Sequence, residues 1–454
     1  MNNQEPIRDA RTLGVPKMLI LGLQHMFAMF GATVLVPILV QGYGLPLSIQ
    51  TTLFFAGVGT LFFHVCTKLK VPAFLGSSFA YLGGFSAVAE LDSGIYAGMT
   101  GEEKLPYALG GIVVAGLLYL VLAGLIKLVG VHKVMRFLPP VVTGPIIILI
   151  GLSLAPSAIN NASTNWWLAI LSIAVIVAAN IWGKGMVKII PILLGVLIPY
   201  AVALVTRQVD FSGVAAADFV GLQPFFTDFG GSIAKFDLTS ILVMAPIAIA
   251  AMMEHIGDMS AISATVEENF IEDPGLHRTL VGDGIATSLS ALFGGPANTT
   301  YGENTGVLEL SQVFDPKVVR LAAIYAVVLS FSPKFAAVIN SIPTAIIGGV
   351  SFILYGMISA IGVRNVVENR VDFTNSRNLI IAAVIMVCGL GFKIWGFSNE
   401  FSGLTFHVGG TDITLTSLAI AAIAGIALNA ILPGKDYEFG SDVTQGRSGD
   451  FGRY

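Results

Sequence analysis

The chain has 454 residues, of which 55% are hydrophobic and 11% are charged, and its mean hydropathy is +0.81. This composition excludes a soluble globular domain and predicts a multi-pass protein of the cell membrane, in contact with the lipid bilayer. A net charge of −4, with the 24 basic residues scattered singly, excludes a nucleic-acid partner.

The chain begins with a polar tail, residues 1–17, which lacks the apolar core of a signal peptide. Apolar runs of about membrane-spanning length follow and predict fourteen segments. A polar stretch, 207–238, divides them into two groups of seven, and 434–454 forms a polar C-terminal tail. The segments are predicted at 18–40, 48–67, 72–90, 106–129, 134–155, 165–183 and 187–206, then at 239–264, 279–294, 299–313, 318–340, 343–362, 377–397 and 414–433.

The positions of lysine and arginine predict the orientation of these segments. If the N-terminus is cytoplasmic, all but five of the 24 basic residues fall on the cytoplasmic side, where such residues accumulate. Both tails are then cytoplasmic and the 207–238 linker is extracytoplasmic. The two cysteines lie in apolar segments and are predicted to be free thiols that pack as small hydrophobic residues. The five basic residues on the outer side are Lys104, Arg207, Lys235, Lys334 and Lys393.

Two segments, 72–90 and 299–313, begin in Gly, Pro, Ser and Thr rather than in Leu and Ile. They are third and tenth in the chain and so hold the same rank in the two groups of seven. Such paired interruptions predict an inverted-repeat transporter that binds its substrate near the middle of the bilayer. The unwound backbone needs polar partners, so it must lie against protein or a wet cavity.

The eighth segment carries three ionisable residues at the predicted centre of the membrane, where each costs about 2.5–3.5 kcal/mol. Glu254 and Asp258 are four residues apart and share one face of a helix, whereas His255 projects away from it. We therefore predict that Glu254 and Asp258 are functional and that His255 supports the structure. Asp283, in the ninth segment, is interpreted as an interfacial or bracing carboxylate and is not included in the site.

The tenth segment supplies a second intramembrane acid, Glu303, next to Gly302, which lets a ligand approach the backbone closely. A helix that begins near Asn304 would direct its N–H groups at an acceptor oxygen. The third segment has a similar arrangement in Ser78 and Phe79. Two carboxyl groups, two helix N-termini and aromatic faces suit a small planar solute with N–H donors and carbonyl acceptors, such as uracil or xanthine.

Other aromatic and polar residues complete the candidate site. Tyr301 and Tyr355 are candidates for stacking on the ligand, although Phe79 and Tyr355 fit simple packing equally well. Gln24 and His25 are predicted to tie the first segment to its neighbours by hydrogen bonds. Two alternatives remain open: a membrane-embedded enzyme that uses Glu254, His255 and Asp258, and a passive channel. No HExxH-type pair or nucleophile motif supports the enzyme, and no metal site is predicted.

Six ordered motifs resemble the uracil permease branch of the nucleobase–ascorbate (nucleobase:cation symporter-2) transporter family, and together they span nearly the whole chain. The resemblance implies an all-α polytopic membrane protein with fourteen transmembrane segments in a seven-plus-seven inverted repeat, and short antiparallel strands in segments three and ten. The motifs are QHMFAMFGATVLVP (24–37), PAFLGSSFAY (72–81), MEHIGD (253–258), DPGLHR (273–278), GGPANTTYGENTGV (294–307) and GGVSFILYG (348–356).

The resemblance also implies how the protein works. A core domain, 18–129 and 239–340, would hold the substrate and move against a gate domain, 134–206 and 343–433. The expected activity is proton-coupled import of the substrate by a homodimer, with the proton as coupling ion and no other cofactor.

The family's functional residues match positions in this chain. Glu254 and Glu303 match the substrate-binding glutamates, Phe79 and Gly302 the backbone N–H donors, and Tyr301 and Tyr355 aromatic walls of the site. Asp258 stands where uracil permeases have a second histidine linked to proton coupling, and an acid there is typical of purine transporters. Glu303 stands where purine transporters have an amide, so uracil is favoured and xanthine is the alternative.

Overall fold

The computed structural model describes residues 6–92, 94–222, 226, 233–399, 403–408 and 411–434. The rest of both predicted tails and part of the 207–238 linker lie outside these residues. The described chain is mostly helical, and we number its α-helices of seven or more residues. They are α1 Val15–Gly42, α2 Ile49–Cys66, α3 Leu82–Glu90, α4 Gly101–Val129, α5 Pro140–Ser163, α6 Trp166–Trp182, α7 Pro191–Val205, α8 Leu238–Met244, α9 Ile247–Val266, α10 Leu276–Leu292, α11 Gly302–Ser311, α12 Pro316–Ser330, α13 Pro333–Asn340, α14 Thr344–Glu368, α15 Ser376–Asn399 and α16 Ser417–Ile431.

Shorter elements connect these helices. Two pairs of strands are present, β1 Leu75–Ser77 with β2 Asn298–Thr300, and β3 Gly403–Val408 with β4 Thr411–Thr416. Both pairs are antiparallel. The short helices are Ala10–Leu13, Phe79–Tyr81, Gly94–Tyr96, Val131–Met135, Met186–Ile189, Ser212–Ala216 and Ile271–Gly275.

Six helical stretches of the described chain are long and apolar enough to cross a membrane, one of them being Leu238–Val266, which α8 and α9 form together. They number seven if the bent pair α12 and α13 forms one span. Four shorter apolar helices accompany them: Trp166–Trp182, Pro191–Val205, Ser376–Phe392 and Ser417–Ile431. The protein is therefore a multi-pass membrane protein, and the count of fourteen spans stays a prediction.

Several helices begin or bend where the apolar pattern did not indicate it. α4 begins at Gly101 rather than at 106 because Thr100 and Glu103 form a capping box, in which the Glu103 carboxylate accepts from the Thr100 N–H at 2.8 Å. α5 begins at Pro140 rather than at 134, since a proline with its fixed φ and missing N–H is favoured in the first turn of a helix. The predicted segment 318–340 bends by 89° between α12 and α13.

Two features outside the predicted pattern were missed by the sequence analysis. Residues 7–13 do not form a simple polar tail, because Ile7 pairs with Val313 and the Ala10 N–H donates to the Asp315 carboxylate at 2.8 Å. The β3–β4 hairpin precedes α16 and reaches into the predicted segment 414–433, where only a helix was expected. Neither feature has an apolar periodicity of membrane-spanning length, so the pattern gave no sign of it.

The β1–β2 pair lies in the buried interior, within the predicted third and tenth segments. Leu75 pairs with Thr300, Gly76 with Thr299, and Ser77 with Asn298, and all six residues are buried. The ladder continues by one bond at each end, from Ser78 N–H to the Ala297 carbonyl at 2.9 Å and from Tyr301 N–H to the Phe74 carbonyl at 3.0 Å. The two strands therefore satisfy each other's backbone groups away from water.

Candidate functional site

The strand pair positions the start of a helical segment on each side of the interior. Phe79 comes two residues after the end of β1 and begins a short helix that leads into α3. Gly302 comes two residues after the end of β2 and begins α11. The two predicted N–H donors thus occupy equivalent positions after the two strands.

Each strand is fixed to a neighbouring helix by a threonine hydroxyl. Thr60 of α2 accepts from the Leu75 N–H at 2.9 Å and lies 3.2 Å from the Leu75 carbonyl. Thr287 of α10 accepts from the Asn298 N–H at 3.2 Å and donates to the Asn298 carbonyl at 2.9 Å. Leu75 and Asn298 are the first residues of their strands, so the same contact sets the start of both.

The acidic face of α9 meets the end of β2. Asp258 is 6% exposed, and its carboxylate accepts a hydrogen bond from the Thr300 hydroxyl at 3.0 Å. A Cβ built on Gly302 would lie 3.5 Å from an oxygen of the same carboxylate. Glu254, one helical turn earlier, is partly buried, and its charge acts on the phenol of Tyr119 in α4. The Asp258 end of the predicted face therefore points at the tenth segment.

His255 faces another helix, as its position off the acidic face indicated. Its Nε2 lies 3.0 Å from the Thr279 hydroxyl and its Nδ1 lies 2.9 Å from the carboxylate of Asp283, both in α10. Since the Thr279 hydroxyl donates to the Leu276 carbonyl, the histidine Nε2–H is the donor to Thr279. The 2.9 Å contact between Nδ1 and the Asp283 carboxylate is an ion pair when both ring nitrogens carry a proton.

Asp283, which the sequence analysis did not include in the site, is buried in the structure. Its side chain is 0% exposed and contacts His255, which agrees with the bracing interpretation. The hydroxyls of Tyr81 and Tyr119 are buried, lie close enough to feel its charge, and have no hydrogen-bond partner among the described residues. An acid inside an apolar run, in the sequence VGDGIA, was the available signal.

Tyr301 covers the strand pair. Its hydroxyl donates to the Ser77 carbonyl at 2.8 Å, and its ring lies over Gly76, where a Cβ would come within 2.3 Å of the ring atoms. Only a glycine fits beneath this ring. Tyr301 is 3% exposed, so in this conformation it links β1 to β2 rather than forming an open wall.

Phe79 and Tyr355 are brought together from the predicted core and gate domains. Their ring centroids are 6.0 Å apart with an interplanar angle of 77°, an edge-to-face contact. Phe79 also lines a small cavity with Ile247 of α9 and Ser153 of α5. Ser78 is 1% exposed, and its hydroxyl has no hydrogen-bond partner among the described residues.

The predicted supporting residues of the first segment contact the tenth segment. His25 is fully buried, and the Asn304 amide lies 3.2 Å from its Nδ1 and 3.1 Å from its carbonyl oxygen. This contact fixes α11 against α1. Gln24 lines a cleft between α1 and the end of α11. The backbone of Glu303 lies in α11, but its side chain is outside the described residues.

Comparison with known proteins identifies similar chains of nearly the same length. The sequence profile of the Permease family matches residues 16–396. The uracil permease of Bacillus caldolyticus is 41% identical over 438 residues, which cover 94% of each chain. The uracil permease of Escherichia coli (strain K12) is 36% identical and covers 90% of each chain.

Solved structures with a similar fold are more distant in sequence. The transmembrane domain of the cyanobacterial bicarbonate transporter BicA superposes with a TM-score of 0.52 at 17% identity, covering 80% of this chain and 98% of that domain. SLC26A9 superposes with a TM-score of 0.56 at 10% identity, covering 87% of this chain and 68% of its own. At these identities the likeness supports the fold alone.

Proposed function

Because the chain belongs to the Permease family of nucleobase–ascorbate transporters, and is a permease rather than an enzyme, we propose that it imports uracil across the cell membrane. The observation that carries the proposal is the similarity to uracil permeases over at least 90% of both chains. The geometry agrees with it, since β1 and β2, in the buried interior, lead to Phe79 and Gly302, and Gly302 lies beside Asp258 on the acidic face of α9.

We further propose that the protein has fourteen spans in two inverted repeats of seven. The equivalent clamps of Thr60 on Leu75 and of Thr287 on Asn298 support this arrangement, because each lies on the helix that precedes an interrupted segment. The core domain, 18–129 and 239–340, moves against the gate domain, 134–206 and 343–433, with the contact between Phe79 and Tyr355 at their boundary. The working unit is a homodimer with both termini in the cytoplasm.

In this mechanism uracil lies between Phe79 and the end of β2. Glu254 donates to a ring carbonyl when it is protonated, and Glu303 accepts from a ring N–H. The backbone N–H groups of Phe79 and Gly302 donate to the carbonyl oxygens, and Tyr355 closes the site. Asp258, through its hydrogen bond with Thr300, takes part in proton coupling. Since Asp258 and Glu254 are one turn apart, their protonation is coupled.

Uptake of labelled uracil into vesicles under an imposed pH gradient tests the proposal. We expect an inward-directed proton gradient to drive uptake, a protonophore to abolish it, and Glu254→Gln and Glu303→Gln to lower it to the level of empty vesicles. Glu309→Gln, an exposed acid on the same helix as Glu303, is the matched control and should leave uptake unchanged. Wild-type affinity in both site variants would exclude this site.

Asp258 favours one competing substrate, xanthine, because an acid at this position is typical of purine transporters. Competition with unlabelled uracil, thymine, xanthine and hypoxanthine in the same vesicles separates the two. Stronger competition by xanthine than by uracil would make the protein a purine transporter. Asp258→Asn tests coupling separately, since unchanged proton dependence would remove Asp258 from that role.

A further inference from the structure

The ends of α2 and α4 and the start of α10 lie close together, and the proposed transport site uses none of them. Helices α4 and α10 pack against each other in antiparallel directions. A Cβ on Gly284 of α10 would lie 2.5 Å from the Tyr119 Cβ of α4, and one on Gly116 of α4 would lie 2.3 Å from the Ser288 hydroxyl of α10. Continued by about two turns, this register brings Lys127 of α4 beside the first turn of α10.

The end of α2 reaches the same place. A Cβ on Gly282 of α10 would lie 2.9 Å from the ring of Phe63, and the Arg278 guanidinium donates to the Cys66 carbonyl at 3.4 Å. Lys68 follows in the turn after α2, with a positive φ of 55°. Three helix ends thus place Lys68, Lys127 and Arg278 together.

These three residues form a basic cluster around the half-buried ring of His277. Each of them lies close enough to the His277 imidazole to act on it electrostatically. Lys68 and Lys127 are exposed, and none of the three forms an ion pair among the described residues. Asp273 lies close enough to Lys68 and Arg278 to feel their charge, but its ion pair is with Lys70, and this hydrogen bond holds the pKa of the Asp273 carboxyl below its ordinary value. The cluster therefore retains its positive charge.

An exposed apolar stripe on α4 leads directly to this basic cluster. Its residues recur at intervals of three or four and so lie along one face of the helix. The stripe faces away from the packed interior and ends next to Lys127. Its members, with their exposed fractions, are Leu117 (47%), Val121 (58%), Leu125 (48%) and Leu128 (85%).

We propose that the basic cluster binds the phosphate of an anionic phospholipid, and that an acyl chain of the same lipid lies along the α4 stripe. The proposed orientation puts the cluster at the cytoplasmic leaflet, where basic pockets between spanning helices bind lipid headgroups. The apolar stripe distinguishes a lipid from a free phosphate ion, because only a lipid uses both surfaces at once. This site shares no residue with the proposed uracil site.

Native mass spectrometry of the full-length protein in a neutral detergent tests the proposal. Phosphatidylglycerol and phosphatidylcholine with the same acyl chains are titrated separately. We expect the wild type to bind phosphatidylglycerol more tightly than phosphatidylcholine. Each cation near a membrane surface contributes about fivefold, so K68Q/K127Q should bind phosphatidylglycerol about 25-fold more weakly, with phosphatidylcholine unchanged. Arg278 is left in place because it bonds to Cys66.

The matched control is K133Q/K184Q, which removes two exposed basic residues on the same predicted side but outside the cluster. It should bind phosphatidylglycerol as the wild type does. Equal binding by the wild type and K68Q/K127Q, or equal binding of both lipids by the wild type, would overturn the proposal. Displacement of phosphatidylglycerol by an equal concentration of inorganic phosphate would assign the cluster to a free anion. Uracil binding by K68Q/K127Q, measured in the same preparation, reports on the transport site separately.

Discussion

The β1 and β2 regions are held by the same contacts although their sequences differ. In each, a threonine of the preceding span fixes the first strand residue, and a second side chain bonds to the carbonyl two residues earlier. For β1 this second contact is His64 Nε2 at 2.9 Å from the Ala73 carbonyl, and for β2 it is Ser290 donating to the Pro296 carbonyl at 2.6 Å. The scaffold of the two interrupted segments is therefore present twice.

The surroundings of the two strands are different. The residues after β1, Ser78 and Phe79, are uncharged, whereas the last residue of β2, Thr300, contacts Asp258 on a helix that also carries Glu254 and His255. The described carboxylate that contacts a strand of the site, Asp258, thus comes from the second half. The two strands share a scaffold, but the acidic face lies beside β2.

The largest expected effect comes from the buried contact between His255 and Asp283, which the β1 side lacks. His255→Leu leaves the Asp283 carboxylate buried without its partner and should lower the free energy of unfolding by about 3–5 kcal/mol. The double variant His255→Leu/Asp283→Leu removes both groups and should be less destabilised than the single one. Denaturant titration of the purified protein in detergent measures all three. A double variant that is less stable than His255→Leu would show that the contact is not an electrostatic pair.

The equivalence of the two scaffolds is tested by Thr60→Val and Thr287→Val. Each change leaves the N–H of a buried strand residue, Leu75 or Asn298, without its acceptor, at a cost of about 1–3 kcal/mol. We expect the two losses to be equal within the error of the same titration. Thr52→Val in α2 is the control and should cost less, because among the described residues its hydroxyl bonds only to the carbonyl of Ser48, the N-cap of the same helix. A large loss from one strand threonine and none from the other would contradict the shared scaffold.

The sequence predicted the interrupted segments and the acidic face because both are local signals. Gly, Pro, Ser and Thr at the start of an apolar run mark an unwound span, and the spacing of Glu254 and Asp258 puts both on one side of a helix. The resemblance to a family added the strands and the roles of Phe79 and Gly302. The structure places both of these residues immediately after the strand pair.

What the sequence could not provide was the set of partners between spans. Nothing near Asp283 in the chain indicates that His255 lies 2.9 Å away, because the two residues are in different helices. Similarly, the sequence predicts that Tyr301 faces the ligand, whereas in the structure its ring covers Gly76. Contacts between side chains of different helices depend on how the helices pack. The spacing of apolar residues does not predict this packing when helices are apolar on all sides.

Gly76 and Gly302, the two glycines of the strand regions, differ in the space around them. Substituting them by alanine should therefore change stability to different extents, and by less than the variants above. A Cβ on Gly76 would overlap the Tyr301 ring at 2.3 Å, so Gly76→Ala should cost about 1–3 kcal/mol of stability. A Cβ on Gly302 meets only ordinary contacts, 3.5 Å from Asp258 and 3.7 Å from Ile361, so Gly302→Ala should keep its stability. Uracil binding should nevertheless weaken in Gly302→Ala, where the ligand approaches the backbone. Binding is measured by isothermal titration calorimetry, and unchanged affinity would remove Gly302 from the site.

The smallest effect is expected where the two halves meet at the surface, in the ion pair between Lys70 and Asp273. The hydrogen bond from Lys70 lowers the pKa of Asp273 below its ordinary value of 3.8, so the pair stabilises the protein above that pH and the effect is lost as the pH falls through the lowered pKa. Because the carboxylate is exposed, solvent screens the pair, and Asp273→Asn should shift the unfolding midpoint at neutral pH less than either threonine variant. The difference between Asp273→Asn and the wild type should disappear in acid. A difference at neutral pH as large as that of Thr60→Val would mean that this exposed ion pair stabilises the protein as much as the buried threonine contact does.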